Sequence, residues 1–253
     1  MVDLGALTGW LPATGLPAGV LAGTATRRFI GESNGGYARA NYGDRCGDAP
    51  ASVERNRQLL GDTLQLAKSP LWLRQVHGVE VHVDDPGTAI AGGPPQADAC
   101  IVRSGGRAAV VLTADCLPIL LASTVADEVA AIHAGWRGLV AGVIEKTVQK
   151  LNCTSNLRAW LGPAIGPRAF EVGPEVRRAF VDQHSGAASC FVQGQGDRWF
   201  ADLYGLARQR LAALGISAVS GGEHCTFSAA QDFHSFRRDG AVSGRMATLI
   251  WRR

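Results

Sequence analysis

No Cys-x-x-Cys pair occurs among the six cysteines, which stand far apart at Cys46, Cys100, Cys116, Cys153, Cys190 and Cys225. A chain of 253 residues needs no covalent staples, so free thiols are expected, and a functional one must be picked out by its neighbours. Basic runs are missing as well. Lys plus Arg total 25 against 22 for Asp plus Glu, a formal net charge of +3, which leaves no electrostatic footprint for nucleic acid. No apolar run reaches the roughly 18 residues that a membrane-crossing helix requires. No Lys or Arg precedes Arg27, whereas a secretory leader starts basic, so the expected setting is the cytoplasm with no membrane partner. Internal repeats, low-complexity tracts and Ser/Pro-rich linkers are absent too, so nothing divides residues 1–253 and one domain is expected.

What is present is a globular composition, 46% hydrophobic and 19% charged, able to bury a sizeable core. Glycine is abundant, 32 residues, close to twice the usual share of ~7%, which signals many tight turns or close approaches. Asp48 followed by Pro50 and an acidic turn predicts a helix from Val53 to Lys68. Short apolar runs predict strands at Leu71 to Val76, Val79 to Val83, Ala99 to Val102, Ala108 to Thr113, Pro118 to Ser123 and Val129 to His133. A second helix is expected from Gly138 to about Leu151, a strand at Ala159 to Leu161, a helix at Pro174 to Gln183, another at Asp202 to Leu214 with Asp202 as cap, and a closing strand at Gly244 to Trp251. Strands in runs, with helices inserted singly, predict an α+β protein with mixed sheets rather than a TIM barrel.

Three segments carry candidate chemistry: Arg74-Gln-Val-His77-Gly, Thr113-Ala-Asp-Cys116-Leu-Pro and His133-Ala-Gly-Trp-Arg-Gly138. Each follows a predicted strand and places a reactive group where the chain bends, on a rigid base. Two imidazoles and a thiolate form a three-ligand set for Zn²⁺ with a fourth position open, the pattern of catalytic zinc. The spacings match no local zinc-binding motif, so from the residues alone a buried structural cysteine is the favoured reading and the metal site the minority one. Gly138 at a helix start, with Arg137 beside it, reads either as an anion site or as a plain tight turn. Gly162-Pro-Ala-Ile-Gly-Pro reads as a rigid turn. Phe233-His-Ser-Phe236-Arg237-Arg brings together aromatic faces and guanidinium groups of the kind that suit a planar ligand bearing an anion.

Taken in order, Arg74-Gln-Val-His-Gly, Ala97-Asp-Ala, Thr113-Ala-Asp-Cys-Leu-Pro-Ile-Leu-Leu, Val129-Ala-Ala-Ile-His-Ala-Gly-Trp-Arg-Gly-Leu, Leu161-Gly-Pro-Ala-Ile-Gly-Pro, Phe170-Glu-Val-Gly, Ala201-Asp-Leu, Phe236-Arg-Arg-Asp-Gly and Gly244-Arg-Met-Ala closely resemble one family across nearly the whole chain. It is the bacterial laccase-domain family, also called multicopper polyphenol oxidase or purine nucleoside phosphorylase and linked to peptidoglycan editing. The resemblance implies a mixed β-sandwich flanked by helices and a zinc site at His77, Cys116 and His133. It also implies phosphorolysis of adenosine, inosine and methylthioadenosine, with deamination of adenosine. The chain departs from the family pattern near its N-terminus. Arg27 and Asn41 match, while a glycine pair is missing, Arg45 stands where a histidine is usual, and His234 replaces an aromatic residue.

On this reading Asp115 is the proton shuttle, Cys116 a ligand and candidate nucleophile, and Arg137 or Arg237 the partner of phosphate. Arg27, Asn41, Gln75, Phe236 and Arg237 are expected at the substrate, and the protein is expected to act as a monomer on small molecules. The name laccase fits poorly, because oxidising phenols with O₂ needs several coppers, whereas this chain has six histidines and no His-x-His. A single copper with Met246 as axial ligand remains as an electron-transfer alternative. A cysteine or metal-dependent amidase acting on cell-wall precursors is the third reading.

Overall fold

Runs rich in Val, Ile, Leu and Ala pair into two facing sheets in the computed structural model, which describes residues 3–86, 92–103 and 105–252. The first sheet is antiparallel, in the order β1 (Trp10–Pro12), β2 (Val20–Ala25), β13 (Met246–Arg252) and β5 (Ala109–Thr113). The second is mixed, in the order β12 (Ala218–Gly221), β8 (Leu157–Leu161), β6 (Leu117–Ser123), β7 (Val129–Ala134), β4 (Ala99–Val102) and β3 (Val81–Asp84). Its two outer pairs run parallel and its inner pairs antiparallel. A small third sheet joins β10 (Phe191–Gln193), β11 (Trp199–Ala201) and β9 (Glu171–Val172).

Side chains alternate between the faces of a strand, and here the alternation sorts residues into distinct cores. Cys100, Val102, Leu120, Ala122, Val129, Ala131 and Trp160 of the second sheet meet Ala22, Ala109, Val111 and Ile250 of the first. The intervening residues Ile101, Ile119, Leu121, Ile132 and Leu161 point to the opposite face. There they are covered by α3 (Val143–Lys150), α4 (Pro174–Val181) and α5 (Leu203–Ala213), through Ile144, Val148, Val176, Phe180, Leu206 and Leu211. On the outer face of the first sheet, Val110, Leu249 and Trp251 are covered by Leu60 of α1 (Pro50–Thr63) with Phe29 and Tyr42. The result is helix, sheet, sheet, helices, the expected α+β arrangement of a sandwich flanked by helices. Strands buried on both faces read as continuous apolar runs, which is why β6 and β7 were legible.

Several boundaries differ from expectation. Asp48 does not cap α1; it binds the Ser33 hydroxyl at 2.6 Å and the Asn41 amide at 2.9 Å, and Ala49 holds the cap position. The helix ends at Thr63 rather than Lys68, where Gln65 turns left-handed with φ 51°. The helix expected from Gly138 opens earlier, as α2 (Trp136–Val140), and breaks at Gly142, whose φ of 92° a side chain rarely adopts, before α3 begins. The strand expected at Leu71 to Val76 is reduced to bridges at Leu71 and Arg74. There the Gln75 amide, rather than the main chain, bonds the edge of β5, donating to the Leu112 carbonyl at 2.8 Å and accepting from its N–H at 2.7 Å. Strands β1 and β2, inside a Gly- and Pro-rich N-terminal stretch, were not foreseen. Among the described residues no helix is long and apolar enough to cross a membrane.

Candidate metal centre and its cavity

The two sheets part at one end, and the chain crosses between them there. After Thr113 ends β5 in the first sheet, Ala114, Asp115 and Cys116 carry it directly into β6 of the second. Asp115 takes a φ of 92° in that crossing, a conformation costly for a non-glycine residue. Three contacts hold it: its Oδ1 accepts from the buried Thr226 hydroxyl at 2.6 Å, its Oδ2 from the main-chain N–H of Arg237 at 2.7 Å, and its carbonyl from the Ile165 N–H at 2.9 Å. Arg237 belongs to α6 (Phe236–Asp239). His133 arrives at the same end on β7, opposite Pro118 of β6. His77 arrives on the loop before β3, also left-handed at φ 62°.

The candidate ligand atoms of His77, Cys116 and His133 all lie within 4.8 Å of one another. The imidazole rings meet edge to face with centroids 4.7 Å apart. His133 is buried, Cys116 half-buried and His77 exposed, so the cluster has an inner wall and an open side. A Cβ at Gly135 would fall 3.0 Å from the Cys116 Sγ and 3.1 Å from the His77 Cδ2, so only glycine leaves the space beside the cluster free. Burial opposes the Cys116 thiolate, but the neighbouring His133 and His77 outweigh it and hold the thiol below its ordinary value. Burial likewise opposes a charged His133, and Cys116 and Asp98 outweigh it in the other direction. A soft thiolate, two imidazoles and an open side fit the donor set of a catalytic zinc site.

The cluster opens into a cavity of about 490 Å³. Its wall includes Gln75, Asp115, Arg137, Phe236 and Arg237, five of the residues expected to serve substrate or catalysis, together with Trp136 and Phe170. Arg237 lies over the Phe170 ring at 5.4 Å and donates to the Glu171 carbonyl at 2.9 Å. Arg137 lies over the Trp136 ring at 4.5 Å. Phe236 is 52% exposed at the mouth. Arg45, Arg74 and Arg245 also reach the wall, a basic lining that the sequence reading did not foresee.

Arg27 and Asn41 are not brought to the cavity wall. Arg27 spends its donors on the Ala38 and Ala230 carbonyls at 3.1 and 2.8 Å. Asn41 is fully buried, bonding Gly43, Asp48 and the Arg245 N–H. Both tie the N-terminal loops to the C-terminal ones behind the wall. Met246 is fully buried in β13, paired with Thr113, and does not line the cavity. Sequence reasoning missed Asp98, whose Oδ1 lies 2.8 Å from the His133 Nδ1. Its place in the Ala97-Asp-Ala segment, just before β4, was the available signal.

Residues 22–253 match the family model described as multi-copper polyphenol oxidoreductase laccase. The chain is 49% identical to the purine nucleoside phosphorylase of Xylella fastidiosa over 93% of each chain. It is 47% identical to the purine nucleoside phosphorylase YfiH of Escherichia coli over 93% of this chain and 95% of that one. Among solved structures, protein NMB0706 of Neisseria meningitidis superposes with a TM-score of 0.90 at 41% identity, covering 96% of this chain and 99% of that one. With motif order, sandwich and ligand cluster all in agreement, the chain belongs to the multi-copper polyphenol oxidoreductase laccase family.

Proposed function

We propose that this protein is a metal-dependent purine nucleoside phosphorylase acting on adenosine, inosine and methylthioadenosine, with adenosine deamination as a second activity. The observation that carries the proposal is the His77, Cys116 and His133 cluster opening onto an aromatic and arginine-lined cavity. The relatives named purine nucleoside phosphorylase support it, since the chain matches them almost end to end.

Zn²⁺, held by His77, Cys116 and His133, would supply a Lewis acid at the cavity wall, with copper as the alternative ion. In phosphorolysis a phosphate oxygen bonds to the sugar carbon while the bond from that carbon to the base breaks, and the base departs with the electron pair. Arg137 and Arg237 hold the phosphate, because planar guanidinium groups match its oxygens with paired donors. Trp136, Phe170 and Phe236 offer faces to the base and sugar. Asp115 is the group assigned to move a proton at the departing base: each of its oxygens accepts one bond, and a carboxylate oxygen has capacity for another. Gln75 shapes the wall, since its amide is already engaged by Leu112.

One observation favours a second reading. A depressed Cys116 thiol beside a buried His133 is also the pairing of a cysteine hydrolase, which on a cell-wall precursor would cleave an amide. Incubating the purified protein with inosine and phosphate, with and without a chelator, separates the two. Hypoxanthine release that needs phosphate, stops with the chelator and returns with zinc is the expected result. Absence of hypoxanthine release, with cleavage of a cell-wall amide that ignores the chelator and dies with iodoacetamide, supports the hydrolase instead.

A further inference from the structure

His77 owes its position to a backbone conformation that L residues avoid. The loop that carries it has no ladder of its own, because the segment before it makes only bridges. Two side chains hold it: the Gln75 amide ties it to Leu112 of β5, and Asp98 binds the turn itself. The N–H of His77 lies 2.8 Å from Asp98 Oδ1, that of Gly78 lies 2.7 Å from Oδ2, and that of Val76 lies 3.2 Å from each oxygen. Successive N–H groups turned inward around a left-handed residue form a concave nest for an anion, and the anion here is part of the protein. The same Oδ1 faces the His133 Nδ1 at 2.8 Å, and the Asp98 carbonyl accepts from the His133 N–H at 2.7 Å. Asp98 is fully buried, and burying a carboxylate is costly unless it is fully bonded. This carboxylate meets three N–H groups and an imidazole.

We propose that Asp98 is the positioning residue that assembles the metal site, holding His77 through its backbone and fixing His133 in the tautomer with the proton on Nδ1, so that Nε2 is the ligand atom. One carboxylate thus sets two of the three ligands at once, from segments distant in sequence. The inference rests on His77, Cys116 and His133 being metal ligands, and it involves neither nucleoside nor phosphate.

The test is zinc affinity, measured in competition with a chromophoric chelator for the wild type, Asp98→Asn and Cys116→Ser. An asparagine keeps one acceptor oxygen but turns the other position into a donor, which cannot serve both the nest and the imidazole. Asp98→Asn is expected to bind zinc about 10- to 100-fold more weakly. The zinc-loaded wild type, examined by proton–nitrogen correlation of its histidine side chains, is expected to show the His133 proton on Nδ1 and the metal on Nε2. Wild-type affinity in Asp98→Asn, or metal on Nδ1 of His133 in the wild type, would overturn the proposal. The second measurement needs no variant, so it decides the matter even where Asp98→Asn does not fold. Wild-type affinity in Cys116→Ser would instead overturn the ligand assignment itself, which separates the two failures.

Discussion

Strands β4 and β7 bury acidic groups at both of their ends, yet the two ends do different things. At one end Asp84 meets Arg107 at 3.0 Å, Glu128 meets Arg103 at 3.2 Å, and Arg103 also meets Asp85 at 3.0 Å. Each of these three carboxylates has a guanidinium partner. At the other end Asp98 is met by backbone N–H groups and an imidazole, and the atoms left over, on His77, Cys116 and His133, converge on open space. Buried charge is therefore no mark of function by itself. The mark is a set of donor atoms that the protein's own contacts leave unspent.

The largest expected effect breaks the functional end. Cys116→Ser is expected to lower phosphate-dependent hypoxanthine release by at least ~10²-fold and to remove zinc from the purified protein, checked by metal analysis of the same sample. The ion-paired end should answer in stability instead. Asp84→Ala strands Arg107 and is expected to cost about 2–3 kcal/mol in denaturant unfolding, below the ~3–5 kcal/mol of a fully buried pair because Arg107 keeps some contact with water. Turnover per folded molecule should stay unchanged; a fall in turnover would dissolve the distinction between the ends.

A buried polar group at neither end sharpens the comparison. His234 is fully buried, and neither ring nitrogen makes a well-formed hydrogen bond. Burial and the nearby Arg27 hold it neutral, with a pKa pushed down to about 3. Below pH ~6.5 the unfolded chain takes up a proton that the folded one refuses. The stability due to this histidine is thus complete above pH 6.5 and declines as the pH falls toward 3, by about 2 kcal/mol at pH 5. His234→Phe is expected to flatten that acid slope in unfolding curves taken between pH 7 and 5. Inside the sandwich, the Thr24 and Thr248 hydroxyls bond at 2.8 Å across β2 and β13. Thr248→Val is expected to cost about 1 kcal/mol by leaving Thr24 unpaired, and the double valine variant less than the single one.

The parts of the molecule that declared themselves in sequence are those whose signal is local. Strand β6, with its unbroken Leu-Pro-Ile-Leu-Leu-Ala, and α5, following Asp202, need only their own residues to be read. The cluster of His77, Cys116 and His133 was visible as three reactive residues at strand ends, but their spacing could not choose between a ligand set and buried structural residues; the resemblance made that choice. Asp98 stayed hidden because it acts on partners far along the chain, through a carboxylate that fills a nest, and Gln75, though expected at the substrate, was not legible as an amide that replaces a strand pairing. Arg27 and Asn41 were expected at the substrate because they match the family pattern, yet the structure uses them as ties between loops. A residue that matches a family pattern can be kept for architecture as readily as for chemistry.

The three-residue crossing from β5 to β6 has a mechanical consequence. Cys116 is anchored at the seam between the two slabs of the sandwich, whereas His133 rides wholly on one of them. Any slip of one slab against the other must alter the gap between sulfur and imidazole. With the proposed ion in place, metal affinity would therefore double as a strain gauge for the interior, and a substitution deep in the seam, such as Val111→Ala, should register at the ion before it registers in melting.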